Sequence, residues 1–403
     1  MTLAPEPLSP RALERRLKRH LLKAEARFYA PCAPGFEDVL AAEVAGLPQA
    51  TLGPAETGGV SFAGPLETFY HANLRLRTAH RVLLRIEDFH AQNEPTLFDR
   101  VRRVPWELYL GFASGYRLRV SAKRSRLNHA RAIAETVAAG VRSALGPLGL
   151  APEPRADAPL SVHLRLFEDR CTLSLDTSGE HLHKRGYRVL AGAAPLRETL
   201  AAAVLLASDW AGHDLVLDPM CGSGTLLVEA ALLATNTAPG AARAFAFEQA
   251  PFFQAGRWDR LRREAAAEQR PPRLRLLGSD RDALALELAA ASAAAAGIAE
   301  ALTLRSADAL RLEPPAAERP LLASNLPYGA RLGAPREAAA LGRAFAARLA
   351  AAFGGWDYAL VSPSARFLAD AGVDVSRGKV PVVWFEGKLE PGDVLALVED
   401  MKQ

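Results

Sequence analysis

The stretch Leu215-Val-Leu-Asp-Pro-Met-Cys-Gly-Ser-Gly-Thr225 decides the fold of this chain, and a helical run at 226–233 follows it directly. A short apolar strand, a turn with two glycines and a helix succeed one another, and an open α/β sheet binds its ligand at such a turn. Leu227 replaces the third glycine of a dinucleotide fingerprint, and the Gly-Lys-Ser/Thr ending of a phosphate-binding loop is missing from the turn. The turn therefore predicts neither a dinucleotide site nor a phosphate-binding loop.

The residues of this turn, 218–225, which we call the glycine turn, favour a zwitterionic ligand. Gly222 and Gly224 let the backbone approach the ligand closely, and the amino terminus of the helix after Thr225 favours a carboxylate. Asp218 is placed to face the cationic end of the ligand. A tight turn used only for packing is the alternative. The predicted ligand contacts are Asp218, Met220, Cys221, Gly222, Ser223, Gly224 and Thr225.

Two further acids follow the next two predicted strands. Asp280, with Arg281 beside it, can accept hydrogen bonds from both hydroxyls of a ribose. Asp308, with Ala309 beside it, can bond an adenine amino group or, as an equal alternative, cap a helix. Residues 237–272 separate the first two strands, contain many aromatic side chains and are predicted to be a packed insertion.

A polar loop follows the predicted strand at 321–324 and suits a base with an exocyclic amine. Oδ1 of Asn325 and the carbonyl of Leu326 can accept the two hydrogens of that amine, and Pro327 makes the loop rigid. Tyr328 can stack on a base that has left its helix, which is worth about 1 to 3 kcal/mol. The loop contains no cysteine, which disfavours methylation at C5 of a pyrimidine. A strand-ending turn with a buried tyrosine is the alternative.

The pattern of predicted elements changes near residues 186–194, where glycine and alanine cluster. Beyond that boundary, short apolar strands alternate with long helices, which predicts a parallel, doubly wound α/β sheet. In the first half, strands are separated by helical stretches without this regular alternation, which predicts an α+β fold. The predicted strands are 27–30, 60–62, 80–88, 116–122, 162–175, 215–217, 274–277, 302–304, 321–324, 358–361 and 382–385. The predicted helices of the first half are 9–27, 36–47, 65–74 and 128–145.

Two basic clusters in the first half are candidates for RNA binding. One, which we call the loop cluster, follows a predicted strand and precedes a helix, so its cations lie beside a helix amino terminus that can hold phosphate. It comprises Lys123, Arg124, Arg126, Asn128, His129 and Arg131. The other comprises His181, His183, Lys184, Arg185 and Arg188, and it contacts either RNA or the surface between domains. A solvated charged face is the alternative for the loop cluster.

The composition limits the class of protein. The chain has 403 residues, 49% hydrophobic and 23% charged, which predicts at least two globular domains. The net charge is +4 and the isoelectric point is about 9.0. Three distant cysteines, Cys32, Cys171 and Cys221, argue against disulfides or a metal site, and they favour a cytoplasmic protein. No long apolar run or secretion signal is visible, so we expect no membrane contact.

These motifs, taken in order, resemble the N-methyltransferases with an (Asp/Asn/Ser)-Pro-Pro-(Tyr/Phe/Trp) motif, and among them the THUMP-domain RNA guanine-N2 methyltransferases. The resemblance covers about residues 28–390. Leu326 occupies the position at which most relatives carry the first proline of the motif. A leucine at this position resembles the sequences of the tRNA-modifying branch. Two of the segments that carry the resemblance are the glycine turn and the loop at 325–329, which we call the Asn325 loop. The others are 31–37, 123–129, 178–187 and 194–199.

The resemblance implies a fold and a cofactor. It implies a basic helix at 1–25, a ferredoxin-like subdomain plus THUMP RNA-binding domain at 26–186, and a Rossmann-like class I methyltransferase domain at 187–403. The cofactor would be S-adenosylmethionine, with S-adenosylhomocysteine as product. Residues that would flank the cofactor are Pro195, Arg197, Glu198, Thr199 and Asn325.

The implied reaction is methyl transfer to the exocyclic N2 of guanosine in structured RNA. The tRNA acceptor stem is the first expected target, and 23S ribosomal RNA is the alternative. An adenine-N6 DNA methyltransferase shares the logic of the Asn325 loop but would not need the basic first half. A noncatalytic RNA-binding module is a further alternative, and the intact Asp218, Asp280 and Asn325 speak against it. No obligate protein partner is evident.

Overall fold

The computed structural model describes residues 7–188, 196–326, 335–362 and 383–384. The first half contains five helices and eight strands within these ranges. In chain order they are α1 (Pro10–His20), β1 (Glu25–Pro31), α2 (Glu37–Ala45), β2 (Thr51–Glu56), β3 (Gly59–Pro65), α3 (Thr68–Arg75), β4 (Leu83–His90), α4 (Glu94–Arg102), β5 (Gly115–Lys123), α5 (Ala130–Leu145), β6 (Glu153–Pro154), β7 (Ser161–Phe167) and β8 (Arg170–Asp176).

These eight strands form one sheet in the order β2-β3-β1-β4-β8-β7-β5-β6. Its inner face packs against the helices through apolar side chains such as Leu97 on α4, Val137 on α5 and Leu173 on β8. The opposite face carries polar and charged side chains, because successive residues of a strand point to opposite faces. The first half is therefore a sheet with one packed face and one polar face.

The second half contains α6 (Glu198–Ala207), β9 (Leu215–Asp218), α7 (Thr225–Ala234), α8 (Ala255–Ala267), β10 (Arg275–Asp280), α9 (Ala283–Ala295), β11 (Leu302–Ser306), β12 (Pro320–Asn325), α10 (Pro335–Ala352), β13 (Asp357–Ser362) and β14 (Val383–Trp384). Its six strands pair in parallel in the order β11-β10-β9-β12-β13-β14. This confirms the predicted Rossmann-like sheet.

Helices cover both faces of this parallel sheet. Val216 and Leu321 belong to a core with α6, α7 and α9 on one face. Their neighbours Leu217 and Leu322 belong to a core with Phe345 of α10 on the other face. The chain reverses its direction of winding between β9 and β12, which is where ligands bind in folds of this kind.

The insertion at 237–272 is packed structure, as predicted, but it packs on the first half. Phe247 and Trp258 are buried and contact the ring of Tyr70 on α3, with centroid distances of 5.1 and 5.8 Å. Both residues belong to the core of the first sheet. The insertion thus joins the two halves through an aromatic core.

Several boundaries differ from the sequence prediction. The first helix begins as predicted, with Ser9 accepting a hydrogen bond from the amide of Ala12, but it ends at His20. The predicted strand 162–175 is a hairpin of two strands, β7 and β8, whose turn residues Glu168 and Asp169 have positive φ angles. Strand β2 is missing from the prediction, since Gly53 and Pro54 are poor strand formers. Helix α4 is missing too.

No helix in the described ranges combines the length and the apolar character needed to cross a membrane. The same ranges contain no group of three or more His, Cys, Asp or Glu side chains that could hold a metal ion.

Candidate active site

The predicted ligand-binding residues meet at one edge of the parallel sheet. Asp218 ends β9, Asp280 ends β10 and Asn325 ends β12. These strands are neighbours in the sheet and run in the same direction, so their carboxyl ends lie together. The structure therefore brings the glycine turn and the first two residues of the Asn325 loop, Asn325 and Leu326, to a single place.

Asp218 is a buried carboxylate beside the Asn325 loop. Its side chain accepts a hydrogen bond of 2.8 Å from the hydroxyl of Ser324 and one of 3.1 Å from the amide of Met220. Burial, together with the negative charge of Asp280, raises the pKa of Asp218 to about 7. Within the described residues no cation lies within 4 Å of this carboxylate. A cationic ligand group would therefore stabilise its ionised form.

The backbone of the glycine turn is shaped by two glycines in the left-handed region. Gly222 has a φ of 53° and Gly224 a φ of 75°, and residues with a side chain rarely adopt these values. A Cβ atom at Gly224 would lie only 2.9 Å from Cβ of Ala289 on α9, whereas open space lies beside Gly222. The turn is thus packed on one side and open on the ligand side.

Asp280 is tied to the glycine turn. Its Oδ2 accepts the amide of Gly222 at 2.9 Å, and its Oδ1 accepts the amide of Asp282 at 3.0 Å. The carboxylate is partly exposed, and each oxygen has a further lone pair for a ribose hydroxyl. Arg281 is exposed beside it.

Asp308 lies next to Asp280 but has a local role as well. The amide of Ala307 donates to the carbonyl of Asp280 at 3.1 Å, which brings the two strand ends together. The carboxylate of Asp308 accepts the amide of Leu310 at 3.0 Å and is otherwise exposed. Asp308 therefore closes a turn, a local role similar to the helix cap that was the alternative for it. The neighbouring Ala309 is buried.

Asn325 carries a buried acceptor without a donor. Its Oδ1 atom is inaccessible to solvent, and no donor in the described part of the chain reaches it. Leaving such a group unpaired costs about 1 to 3 kcal/mol, which a ligand with an N–H group would recover. The amide of Leu326 donates to the carbonyl of Val361 at 3.0 Å and fixes the strand end. Pro327 and Tyr328 lie outside the described residues.

The segment before α6 reaches the glycine turn through an arginine that was missing from the predicted ligand set. The guanidinium of Arg188 donates to Glu198 at 2.8 Å and to the hydroxyl of Thr225 at 3.0 Å. It also lies 3.4 Å from the hydroxyl of Ser223. The hydroxyl of Thr199 is buried without a partner among the described residues.

Arg197, next to Glu198, is exposed, and Pro195 lies outside the described residues. Ser324, which holds Asp218, was also absent from the predicted set. Its only sequence signal is its position next to Asn325, at the end of a strand that borders β9.

The loop cluster is exposed at the end of β5, but most of its cations are paired within the chain. Arg124 lies 3.5 Å from Glu168, Arg126 lies 3.9 Å from Asp169, and Arg131 lies 3.0 Å from Glu135. The remaining members, Lys123, Asn128 and His129, are exposed. The structure brings the cluster together, but intramolecular pairs compete with phosphate for three of its arginines.

Arg185 does not fit the RNA-binding set predicted for it. Its side chain is only 3% exposed and lies 3.5 Å from the carboxylate of Glu229 on α7, which also accepts the hydroxyl of Tyr187 at 3.0 Å. Its guanidinium donates to backbone carbonyls, including that of Leu182 at 2.7 Å. Arg185 therefore fills the interdomain role that was its alternative. Lys184 is exposed and pairs with Glu180.

Comparisons with known proteins identify the family of this chain. Residues 185–388 match the model of the RMKL-like methyltransferase domain, and residues 27–83 match that of the RlmL ferredoxin-like domain. The ribosomal RNA large subunit methyltransferase K/L of Syntrophotalea carbinolica is 36% identical over 371 residues. That alignment covers 87% of this chain and 51% of the relative. The chain thus spans about half the length of the curated relatives it matches.

Two solved structures are similar over nearly the whole chain. A protein from Listeria monocytogenes, described as a predicted N6-adenine-specific DNA methylase, superposes with a TM-score of 0.78 at 30% identity, covering 87% of this chain and 92% of that one. The methyltransferase SMU.472, solved with S-adenosylhomocysteine (SAH), gives a TM-score of 0.78 at 29% identity, covering 87% and 93%.

Proposed function

Because this chain belongs to the RMKL-like methyltransferase family, whose cofactor is S-adenosylmethionine, we propose that it methylates an exocyclic amine of a base in large-subunit ribosomal RNA. The observation that carries this proposal is the buried Oδ1 of Asn325, which has no donor among the described residues and follows Ser324, the residue whose hydroxyl contacts Asp218. The sequence alone favours tRNA. Three curated relatives that are 32 to 36% identical are named for ribosomal RNA, which favours the alternative target.

The residues at the sheet edge fit the cofactor. Asp218, a buried carboxylate with a raised pKa and no cation within 4 Å in the described ranges, would face its amino group. Asp280 would accept the ribose hydroxyls, and the open side of Gly222 leaves room for the ligand. Arg188 and Glu198 would hold the turn in place. The other residues of the glycine turn remain part of the proposed cofactor site. So do Arg197, Thr199, Arg281, Asp308 and Ala309.

When bound, the cofactor supplies a methyl group on a sulfonium sulfur. Asn325 and the carbonyl of Leu326 would accept the two hydrogens of the target amine and turn its lone pair toward that methyl group. Pro327 and Tyr328 complete the proposed loop, with the tyrosine stacking on the base. The residues contribute by positioning and by electrostatic stabilisation, without a covalent bond to the enzyme.

We further propose that the target is N2 of guanosine in 23S ribosomal RNA. The proposed domains are a basic helix at 1–25, a ferredoxin-like plus THUMP region at 26–186 and a catalytic domain at 187–403. The first half would hold the RNA, with the loop cluster and Lys184 as contacts. Methylation of adenine N6 in DNA is the second candidate, because the similar Listeria protein is described as such a methylase.

Methyl transfer in vitro tests the proposal. The purified protein is incubated with labelled S-adenosylmethionine and with 23S ribosomal RNA, tRNA or duplex DNA from cells that lack the gene. We expect label in the ribosomal RNA, recovered as N2-methylguanosine after digestion, and no label with Asn325→Ala. Label in the tRNA or in the DNA would overturn the proposed substrate, and labelled adenosine would overturn the proposed target atom.

A further inference from the structure

The polar face of the eight-stranded sheet carries a row of cations that is not visible in the linear sequence. In the strand register Arg27 lies opposite Arg85, and Arg85 lies opposite Ser174. Ser174 lies opposite His163, which lies opposite Arg119. Directly opposed residues of paired strands project to the same face. Strands β1, β4, β8, β7 and β5 therefore bring these side chains into one line.

A second set of side chains runs beside this row. Thr172 lies opposite Arg165, which lies opposite Ser121. One pair further along, Arg170 lies opposite Phe167, which lies opposite Lys123 of the loop cluster. The polar face thus reaches the loop cluster at one corner.

Two cavities of about 210 and 540 Å³ open on this face and join into one groove. Both are lined by Glu56, Arg85, Arg165 and Thr172. The small side chains of Thr172 and Ser174 are buried at its floor, and long arginines form its walls. We call this groove, lined by Arg85, Arg119, His163, Arg165, Thr172 and Ser174, the platform.

The arginines of the platform are not paired with carboxylates at close range. Arg85, Arg119 and Arg165 have no carboxylate within 4 Å in the described ranges, although Arg27 at the rim pairs with Asp88 at 3.2 Å. Glu56 lines both cavities and Asp88 lines the larger one. Unpaired guanidinium groups that converge on an open groove repel one another and attract a polyanion. In this respect the platform differs from the loop cluster, whose arginines are paired.

Aromatic rings on the same face are covered by arginines. The guanidinium of Arg85 lies 4.6 Å from the ring centre of Tyr29, and that of Arg165 lies 5.0 Å from the ring centre of Phe167. Unstacked bases of single-stranded RNA stack on such aromatic and guanidinium planes. A duplex keeps its base faces stacked inside and offers mainly phosphates and sugars.

A line of polar side chains leads from the platform toward the candidate active site. Asp176, beside the cation row on β8, pairs with Arg81, whose guanidinium lies 2.9 Å from Nε2 of His181. The ring of His181 stacks on that of His183 at 5.5 Å. Burial, followed by the charges of neighbours including Arg197, lowers the pKa of His183 to about 3. Arg197 in turn precedes the residues that contact the glycine turn.

From these contacts we infer that the platform binds a single-stranded segment of the RNA substrate, with phosphates on Arg85, Arg119 and Arg165 and bases stacked on the guanidinium planes that cover the rings. The inference rests on the proposed function for the class of nucleic acid. It gives the sheet face a role separate from that of the loop cluster.

Binding of a fluorescent 12-nucleotide single-stranded RNA and of a blunt RNA duplex of equal length tests the inference. The variant is Arg85→Gln/Arg119→Gln/Arg165→Gln. The matched control is Arg100→Gln/Arg102→Gln/Arg142→Gln, which removes the same charge from exposed arginines on the helical side. Since Arg85 is partly buried, the exposed single variant Arg165→Gln is measured in parallel, and thermal melting checks that all variants fold.

We expect the platform variant to bind the single strand roughly tenfold or more weakly, with a log-log salt slope lower by about two units. Arg165→Gln should show a smaller loss of the same kind, and the control should bind as the wild type does. Equal losses in the control, or equal losses for the duplex, would overturn the inference.

A parallel methylation assay separates this inference from the proposed function. If the wild type methylates RNA while the platform variant binds the single strand normally, the platform is refuted and the function stands. If binding falls as expected but the wild type methylates no RNA, the function fails and the platform stands.

Discussion

Polar groups are arranged differently at the carboxyl edge of the parallel sheet and on the polar face of the first sheet. At the edge, Asp218 is 2% exposed and hydrogen-bonded, and Oδ1 of Asn325 is buried. On the platform, Arg119 and Arg165 are exposed and lack a carboxylate partner among the described residues. Groups at a reaction centre must be fixed before the substrate arrives. Groups that hold a polyanion need charge more than exact placement.

The difference predicts which measurement responds to each region. A change at the edge should alter turnover or cofactor affinity and leave the salt dependence of RNA binding unchanged. A change on the polar face of the first sheet should alter RNA affinity and its salt dependence and leave cofactor binding unchanged. A variant that moves both sets of measurements together would remove the distinction.

The largest effect is expected at Asn325. Asn325→Ala removes the acceptor that orients the target amine, so we expect turnover to fall about 100-fold or more, as for other preorganised polar groups at reaction centres. Cofactor affinity should stay within about twofold, because the contribution is made in the transition state. Single-turnover methyl transfer and calorimetry measure the two quantities. A wild-type rate would exclude Asn325 from the reaction.

The next effect concerns cofactor binding at Asp280. Asp280→Ala removes a charged acceptor, and one charge-assisted hydrogen bond is worth about 1.5 to 3 kcal/mol, so the Kd should rise roughly 10- to 100-fold. Asp282→Ser is the control, since Asp282 caps α9 and serine keeps the cap. Calorimetry should show the loss for Asp280 alone. Equal losses in both variants would indicate a structural effect of the loop.

The raised pKa of Asp218 predicts a pH dependence with a defined sign. Because the pKa of Asp218 in the folded protein, about 7, lies above the ordinary aspartate pKa of 3.8, the contribution of Asp218 to stability is present below pH 3.8 and is lost as the pH rises through 7. A cationic ligand group prefers the ionised form, so cofactor affinity should fall about tenfold for each pH unit below 7 and level off above it.

Calorimetric titrations between about pH 5.5 and 8 measure this dependence. In Asp218→Asn the affinity should be lower and nearly independent of pH over that range. If the wild type shows an equally flat profile, Asp218 does not face the cationic group.

The smallest effect is expected at the loop cluster. Lys123→Ala/Arg124→Ala/Arg126→Ala should weaken RNA binding only a few-fold, because two of these cations already have carboxylate partners. The salt slope should fall by less than the roughly two units expected for the platform variant. Salt titrations of both variants give the comparison. A larger loss at the loop cluster would reverse the order of importance within the first half.

The sequence predicted the catalytic sheet well, because its signals are local. Strand, glycines and helix follow one another within the stretch that ends at Thr225, and the acids at 280 and 308 directly follow their strands. The hydrogen bonds that complete the site are not local. Ser324 reaches Asp218 across 106 residues and Arg188 reaches Thr225 across 37, and no periodicity encodes such contacts.

The row of cations on the polar face could not be predicted from the sequence, for a related reason. Arg27, Arg85, Arg119 and His163 stand on different strands, and only the register of the paired strands aligns them. For Arg185 the sequence was misleading in the opposite direction. Its basic neighbours in the sequence suggested an exposed cluster. Tertiary packing instead buries its guanidinium against Glu229.

Mass spectrometry of nucleosides from cells that lack the gene tests the central claim most directly. Ribosomal RNA, tRNA and DNA are purified separately, digested and compared with those of the parent strain and of strains that express the wild type or Asn325→Ala. We predict that N2-methylguanosine in 23S ribosomal RNA decreases in the deletion strain and that the wild type restores it while the variant does not. An unchanged level in 23S ribosomal RNA, with a modification lost from tRNA or DNA instead, would contradict the account.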